Sequence, residues 1–511
     1  MNKYLPLILI AFVFCCEQKP SYPPFIEETQ YLRDSTLAPF YHGVASGDPM
    51  AEQVIIWTRV TPKDSLPSIE VAWEVAVDEG FTEIIRSGVK RTDPGFDYTV
   101  KVDVDGLAQG SRYFYRFKAL GVTSLIGKTK TISSNAEEVR FGVVSCSNYE
   151  WGYFNAYGAI AKEELDAVIH LGDYIYEYGP GGYGDTTLGR VAVPDREILS
   201  LQDYRSRYAQ YRLDPDLRAA HANHPFINIW DDHEITNDSY KDGAENHQED
   251  EGSYEARKNI ARQVYYEWLP IREGEKHYRA FNFGALVDLI MLDERLEGRT
   301  QQADSLQDPS LTDPDRTMLG TEQLKWFTSG LTDSKAKWKV IGNQVIYSYL
   351  NWGHPTFNIN LDSWDGYPSE QEKIAQVIKE NEITNVVFIT GDTHSAWAFE
   401  VTNKPFDGYD QKTGDGAFAV EFGTTSINSA NSNERFPTEQ VIQHEKKIVN
   451  TDINPHLKFA NMRDHGYLLL SLTEDKVTGQ WKFMETVKEP NLSFKEIKTM
   501  WVSAGEVKLR E

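Results

Sequence analysis

Four short segments hold residue types that bind metals, and each follows directly on an apolar run. They are Val143-Val144-Ser145-Cys146-Ser147-Asn148, His170-Leu171-Gly172-Asp173-Tyr174-Ile175-Tyr176-Glu177, Trp230-Asp231-Asp232-His233-Glu234-Ile235-Thr236-Asn237-Asp238 and Ile389-Thr390-Gly391-Asp392-Thr393-His394-Ser395. Carboxylates are hard oxygen ligands and thiolates bind metals strongly, so the set suits a group of cations. Asp173 can bridge two ions through its two oxygens, and Gly172 lets the backbone approach closely. Tyr176 is either a packed aromatic or a phenolate ligand. The second role needs a strongly Lewis-acidic ion such as ferric iron, because a free phenol has a pKa of about 10. Cys146 is either a small buried hydrophobe or a thiolate ligand. Two acids, a histidine and a third acid at 231–234, after an apolar strand, are poorly explained as a solvated turn. Asp392 and His394 alternate by two, which on extended backbone turns both to one side.

Side chains at strand C-termini converge on one edge of a layered α/β sheet, where sites form. The chain after Asn135 has that texture, with apolar strands alternating with amphipathic helices. Strands are expected at Val139–Val144, Ala167–Leu171, Phe226–Trp230, Ala285–Leu292, Trp338–Ile341, Val386–Ile389 and Ala417–Val420, and helices at about 151–164, 200–211, 253–268, 321–333 and 369–381. Residues 236–253 and 298–317, rich in Asp, Asn, Gly and Gln, read as surface loops. Tyr467–Met484 reads as a hairpin turning at Asp475–Gly479. From Phe40 to Ser133 short β-like segments separated by turn residues predict a small all-β sandwich. The expected organisation is a signal peptide over 1–19, a β-sandwich domain over 36–135, a catalytic α/β domain over 136–490 and a C-terminal extension over 491–511.

With 511 residues, 40% of them hydrophobic, the chain can build more than one core. Acidic residues outnumber basic ones 77 to 52, and no basic cluster stands out, so a stable nucleic-acid partner is not expected. Leu5–Phe14 is an apolar run too short to span a bilayer but suited to a signal-peptide core. Cys15 and Cys16 close that run and precede polar Glu17 and Gln18, as in a bacterial lipoprotein signal. Export to the periplasm or the cell surface follows, with membrane attachment through a lipidated Cys15 or Cys16. Once the signal is removed Cys146 has no partner for an intramolecular disulfide.

The segments Gly-Asp-Tyr-Ile-Tyr-Glu, Trp-Asp-Asp-His-Glu and Gly-Asp-Thr-His together resemble the PhoD-like (alkaline phosphatase D type) family of the calcineurin-like metallophosphoesterase superfamily. His42-Gly43-Val44-Ala45-Ser46-Gly47-Asp48-Pro49, Trp57-Thr58-Arg59, Leu292–Arg295, Leu319–Gln323 and Gly342–Gln344 extend the resemblance over about residues 38–485. It implies a layered αββα sandwich preceded by the small β-sandwich. It also implies iron at Cys146, Asp173 and Tyr176, further metal ligation by Asp232, Asp392 and His394, and calcium as the companion ion. His233 matches the histidine that contacts the phosphate or protonates the leaving group. Asn237, Arg295 and Asn343 are candidate substrate contacts, and Glu294 stands where the family has threonine, near Arg295.

Two cations so placed would activate water for hydrolysis of small phosphate mono- or diesters, and the resemblance implies Fe3+ and Ca2+ as those ions, with other divalent metals as alternatives. A phospholipase D-like or nucleic-acid phosphodiesterase is the alternative within enzymes. A surface binding protein on a spent scaffold is the alternative outside them. Ser145 and Ser147 have no base beside them in sequence and are poor nucleophile candidates.

Overall fold

A computed structural model describes residues 22–354, 357–449 and 452–511. The expected signal segment, with Cys15 and Cys16, lies outside the described residues. Among those described, no helix is long and apolar enough to cross a membrane.

Two large sheets lie face to face. The nine-stranded one runs in the order Phe494–Ser503, Lys476–Met484, Gly466–Thr473, Glu138–Val144, Ala167–His170, Pro225–Asn228, Val44–Gly47, Val54–Arg59, Thr99–Val104. The seven-stranded one is centred on the parallel strands Val287–Met291, Trp338–Gly342 and Val386–Thr390. Alternating residues of each strand fill the space between them: Phe141, Val143, Ile169 and Leu470 from one side meet Leu289, Val340, Val387 and Ile389 from the other. The opposite faces are equally apolar because helices cover them. Leu201–Arg212, Pro215–Asn223 and Tyr254–Trp268 pack on the first sheet, and Gly320–Asp333 and Pro368–Glu380 on the second. The result is a layered αββα sandwich.

Local chemistry explains most boundaries. Helix Leu201–Arg212 opens on a capping box of Ser200 and Asp203. The helix at Pro215–Asn223, absent from the sequence reading, starts on an Asp214 cap with proline in its first turn. The helix expected over 151–164 is only Asn155–Ile160.

The N-terminal sandwich is not a detached module. Its strands Ile69–Ala76, Ile84–Thr92, Arg112–Ala119, Val122–Thr123 and Gly127–Lys130 form a separate sheet, but Val44–Gly47, Val54–Arg59 and Thr99–Val104 continue the catalytic one. Ser46 and Gly47 pair in parallel with Pro225 and Phe226, on the strand that leads to Asp231. Similarly, residues 491–511, read from sequence as an extension, supply the edge strand Phe494–Ser503. That strand exposes one face to solvent, and its alternating lysines and glutamate hide the pattern.

Asp48 fastens this junction. Its carboxylate accepts from the Arg272 backbone N–H at 2.8 Å and from Arg279 Nη2 at 2.8 Å, while Arg279 also donates to the Asn228 carbonyl at 2.7 Å. Asp48→Ala leaves a largely buried guanidinium without its counter-charge, an expected loss of about 3 kcal/mol in urea denaturation.

Candidate metal centre

Three neighbouring parallel strands of the nine-stranded sheet end at one edge. Glu138–Val144 is followed by Cys146, Ala167–His170 by Asp173, and Pro225–Asn228 by Asp231, Asp232 and His233. From the facing sheet, Val386–Thr390 delivers Asp392 and His394. Ligand atoms of Cys146, Asp173 and His394 lie within 4.8 Å of one another, as do those of Asp173, Asp232 and His233, and those of Asp231, Asp232 and Asp392. Asp173 and Asp232 each belong to two groups, so the three form one continuous cluster.

The backbone is held in an uncommon shape to achieve this. Cys146, Asp173, Asp392 and His394 have φ of 60°, 56°, 60° and 59°, the left-handed region that side chains usually avoid. The 392–394 stretch is therefore a bend and not extended chain, closed by Thr393 N–H to the Gly391 carbonyl at 2.7 Å. Asp392 and His394 consequently go to opposite ends of the cluster, which corrects the expectation that their alternation faces them together. At Gly172 (φ 106°) a Cβ would lie 2.3 Å from the Asp231 Cβ, so glycine is what lets the second and third loops touch.

Buried glutamates hold the loops. Glu234 accepts backbone N–H groups of Asp173 at 3.0 Å, Tyr174 at 2.6 Å and Asp231 at 2.8 Å, tying two ligand-bearing segments together. Glu177 bonds His233 Nδ1 at 2.7 Å and accepts the Asn237 N–H at 2.8 Å, which leaves His233 Nε2 for the cluster. Glu234→Gln turns an amide NH2 toward backbone donors, and metal affinity is expected to fall about 10–100-fold in a metal titration.

The donor set differs from end to end. At one end, Tyr176 Oη donates to Asp173 Oδ2 at 3.0 Å, lies 3.1 Å from His394 Nε2 and accepts from Ser429 Oγ at 2.8 Å. His394 Nδ1 lies 2.7 Å from the Ala430 carbonyl and donates to it, which orients Nε2 as the ligand atom. Sulfur, phenol, imidazole and carboxylate there suit a strongly Lewis-acidic ion. Asp231, Asp232 and Asp392 at the other end are all oxygen and suit a hard cation.

Electrostatics agrees with a site built to receive positive charge. Burial, followed by repulsion from neighbouring carboxylates, pushes Asp392 well above its ordinary range, and burial likewise raises Asp173 despite His233 beside it. Burial also lifts Asp231 to about 6, whereas Asp232, although buried, is held at about 2 chiefly by Arg295 and His233. Burial, then the Asp173 charge, raises the Cys146 thiol and the Tyr176 phenol. Asp173 Oδ1, Asp231 Oδ2 and Asp232 Oδ1 are buried without a hydrogen-bond donor. Acids packed this way with unsatisfied oxygens fit cations between them.

The candidate substrate residues lie elsewhere than expected. Arg295 is fully buried among carboxylates: Nε is 2.5 Å from Asp231, Nη1 2.8 Å from Asp362, and Nη2 3.5 Å from Asp392 and 3.7 Å from Asp232. It is a built-in counter-charge and leaves no free fork for a phosphate. Asn343 is buried against Trp364, whose Nε1 donates to its Oδ1 at 3.1 Å, and it donates to the Val345 carbonyl. Asn237 sits at the rim, its amide 3.2 Å from Glu245. Glu294 does not approach substrate space either. It accepts from Gln344 N–H at 2.8 Å, Val345 N–H at 3.0 Å and Trp364 Nε1 at 2.8 Å.

Sequence reasoning counted Asp231 among the acids at 231–234 without making it a ligand, and assigned no role to Asp238 or Asp362. Asp231 carried the same strand-end signal as Asp232, while Asp362 comes from a loop with no such signal. Beside the cluster opens a cleft of about 650 Å³ lined by Asp238, Gln302, Leu306, Phe357, Asp362 and Asp392. Both expected loop regions thus reach its rim, and among the described residues no lysine or arginine lines it.

Comparison with known proteins agrees with this geometry. The PhoD-like phosphatase profile matches residues 141–481, and that of the PhoD-like phosphatase N-terminal domain matches 27–133. Alkaline phosphatase D of Bacillus subtilis (strain 168) is 39% identical over 476 residues, covering 88% of this chain and 79% of the relative. A solved structure of PhoD superposes with a TM-score of 0.82 at 35% identity, covering 93% of this chain and 92% of that one. A cluster of strand-end ligands in an αββα sandwich, matched over nearly the whole chain, leads to one assignment: the chain belongs to the PhoD-like phosphatase family and is a hydrolase acting on phosphate esters.

Proposed function

We propose that this hydrolase is exported and metal-dependent, and that it acts on small phosphate mono- or diesters. The observation that carries the metal reading is the chain of three overlapping ligand groups whose buried carboxylate oxygens have no donor. Cys146, Asp173, Tyr176 and His394 would hold ferric iron, and Asp231, Asp232 and Asp392 calcium, with Asp173 also facing the second ion through its group with Asp232. Such ions supply Lewis acidity toward phosphoryl oxygens and acidify water. The protein's own part is to hold that geometry, to exclude bulk water by burial, and to deliver a proton.

His233 is the proton donor in this reading. Although burial opposes charge on the ring, the Glu177 carboxylate bonded to Nδ1 favours the protonated form first, and in the metal-free protein Asp232 and Asp173 add to it, raising the pKa well above the ordinary value. Among the described residues the cleft is lined by acids and neutral side chains, which supports small esters over long polyanions such as nucleic acid. Export rests on the Leu5–Phe14 run, with Cys15 or Cys16 as the attachment point at the periplasmic or outer cell surface.

Hydrolysis of a chromogenic phosphomonoester and the matching diester, with iron and calcium supplied and then chelated, tests the reading. Chelator-sensitive turnover of either is expected. Turnover that survives complete removal of metal rejects it.

A further inference from the structure

The metal centre does not use the His42–Pro49 motif, and behind that motif lies a charge the protein leaves unbalanced. Arg212, the last residue of helix Leu201–Arg212, is completely buried. Its Nη2 reaches the His42 carbonyl at 3.3 Å and its guanidinium lies 4.7 Å from the Trp57 ring, but Nε and Nη1 have no hydrogen-bond partner. Among the described residues no carboxylate pairs with it. Asp214, two residues on, is taken by Arg190 at 3.0 Å and by the N–H groups of Asp216 and Leu217.

The surroundings are neutral or positive. The Tyr174 hydroxyl, 2.9 Å from His221 Nε2, also meets the guanidinium as a neutral hydrogen-bond partner and brings no counter-charge. Both ring nitrogens of His42 and the Nε1 of Trp268 are buried without partners, and the two rings are 5.1 Å apart. Burial, reinforced by Arg59, Arg33, Arg212 and Arg218, keeps His42 uncharged. Of those four arginines, Arg59 pairs with Glu27 and Asp97, and Arg33 shares Glu27. Arg218 donates to the carbonyls of Tyr41 and Leu213. Histidine can escape a buried charge by losing its proton, but arginine cannot, since its guanidinium stays protonated at any ordinary pH. A buried, unpaired charge is among the most costly arrangements a fold can contain.

We propose that Arg212 holds a small monovalent anion, chloride being the probe, in a closed site where helices Leu201–Arg212 and Tyr254–Trp268 pack on the N-terminal strands of the nine-stranded sheet. The free Nε and Nη1 of Arg212 would hold it, the buried His42 and Trp268 rings would close the site, and full burial favours a weakly hydrated ion over phosphate. The site backs the metal loop, because Tyr208 of the same helix stacks on Tyr174 at 5.9 Å, directly after Asp173.

Long-wavelength anomalous diffraction from crystals of the metal-loaded protein grown in sodium chloride is expected to place a chloride peak within hydrogen-bond distance of Arg212 Nε or Nη1. Water-like density there, with no anomalous signal, overturns the proposal. In solution at constant ionic strength, Tm should be higher in chloride than in methanesulfonate by on the order of 2 °C. That difference should vanish in Arg212→Met. If that variant does not fold, Arg212→Lys, which keeps the charge but loses the fork, should show a smaller difference. A chloride effect of undiminished size in the variant that folds, or none in the wild type, rejects the assignment.

Discussion

Asp173→Asn is expected to lower turnover on the order of 10³-fold and to leave the purified protein short of metal at both ends of the cluster. Asp173 is the shared member of the Cys146–His394 and Asp232–His233 groups, and its Oδ1 is one of the buried oxygens without a donor. An amide can present one oxygen but neither the charge nor the second ligand atom that a bridge needs. Losing several kcal/mol of Lewis-acid stabilisation corresponds to about three powers of ten. Stability should move the other way in chelator-treated protein. The folded-state pKa of Asp173 is raised, so the metal-free native state binds a proton that the unfolded chain has released above about pH 4. Metal-free wild type therefore loses stability as pH rises from that value toward the raised folded pKa, and Asp173→Asn removes this contribution. At pH 7 the metal-free variant should melt no lower than metal-free wild type. Elemental analysis with thermal melts checks both halves, and a variant that keeps full metal content sinks the bridging role.

Much of this centre was legible because strand-end position is a strong physical signal. Cys146, Asp173, Asp232 and Asp392 each follow an apolar strand, and the topology does bring those strand ends to one edge. What the sequence did not reveal is how the backbone turns after each strand. Left-handed φ at Cys146, Asp392 and His394 has no single-residue signature, so Asp392 and His394 reach the one cluster as expected but by a bend and not by extended alternation. Arg295 looked like a phosphate contact because arginine is the usual anion-binding side chain. Only the fold shows four carboxylates closing around it. Glu177 and Glu234 stand inside the candidate segments, but their role stays hidden for a related reason: acids whose partners are backbone N–H groups from other loops cannot be told from ligands until those loops are placed. The N-terminal strands were legible as strands, but not their merger with the catalytic sheet. An edge that pairs in parallel with Pro225–Asn228 has the same alternation as one that faces solvent through a helix layer.

His233→Gln should lower kcat by about 10²–10⁴-fold while leaving metal content close to that of wild type. The ring's Nδ1 is fixed by Glu177 and Nε2 is the atom left toward the cluster, so a proton donor is lost while Cys146, Asp173, Tyr176, Asp231, Asp232, Asp392 and His394 stay in place. The loss must depend on the leaving group. A nitrophenolate departs without a proton, whereas an alkoxide needs one, so the alkyl ester should suffer much the larger fall. Equal loss on both esters would assign His233 to phosphate binding instead. Glu177→Gln separates orientation from charge. The Glu177 carboxylate is the largest influence raising the His233 pKa, ahead of Asp232 and Asp173, and its removal lowers that pKa. An acid that must be protonated to act fails as pH rises through its pKa, so the alkaline limb of kcat/KM should move to lower pH in Glu177→Gln. A limb that stays where it is in wild type would mean that some group other than His233 delivers the proton.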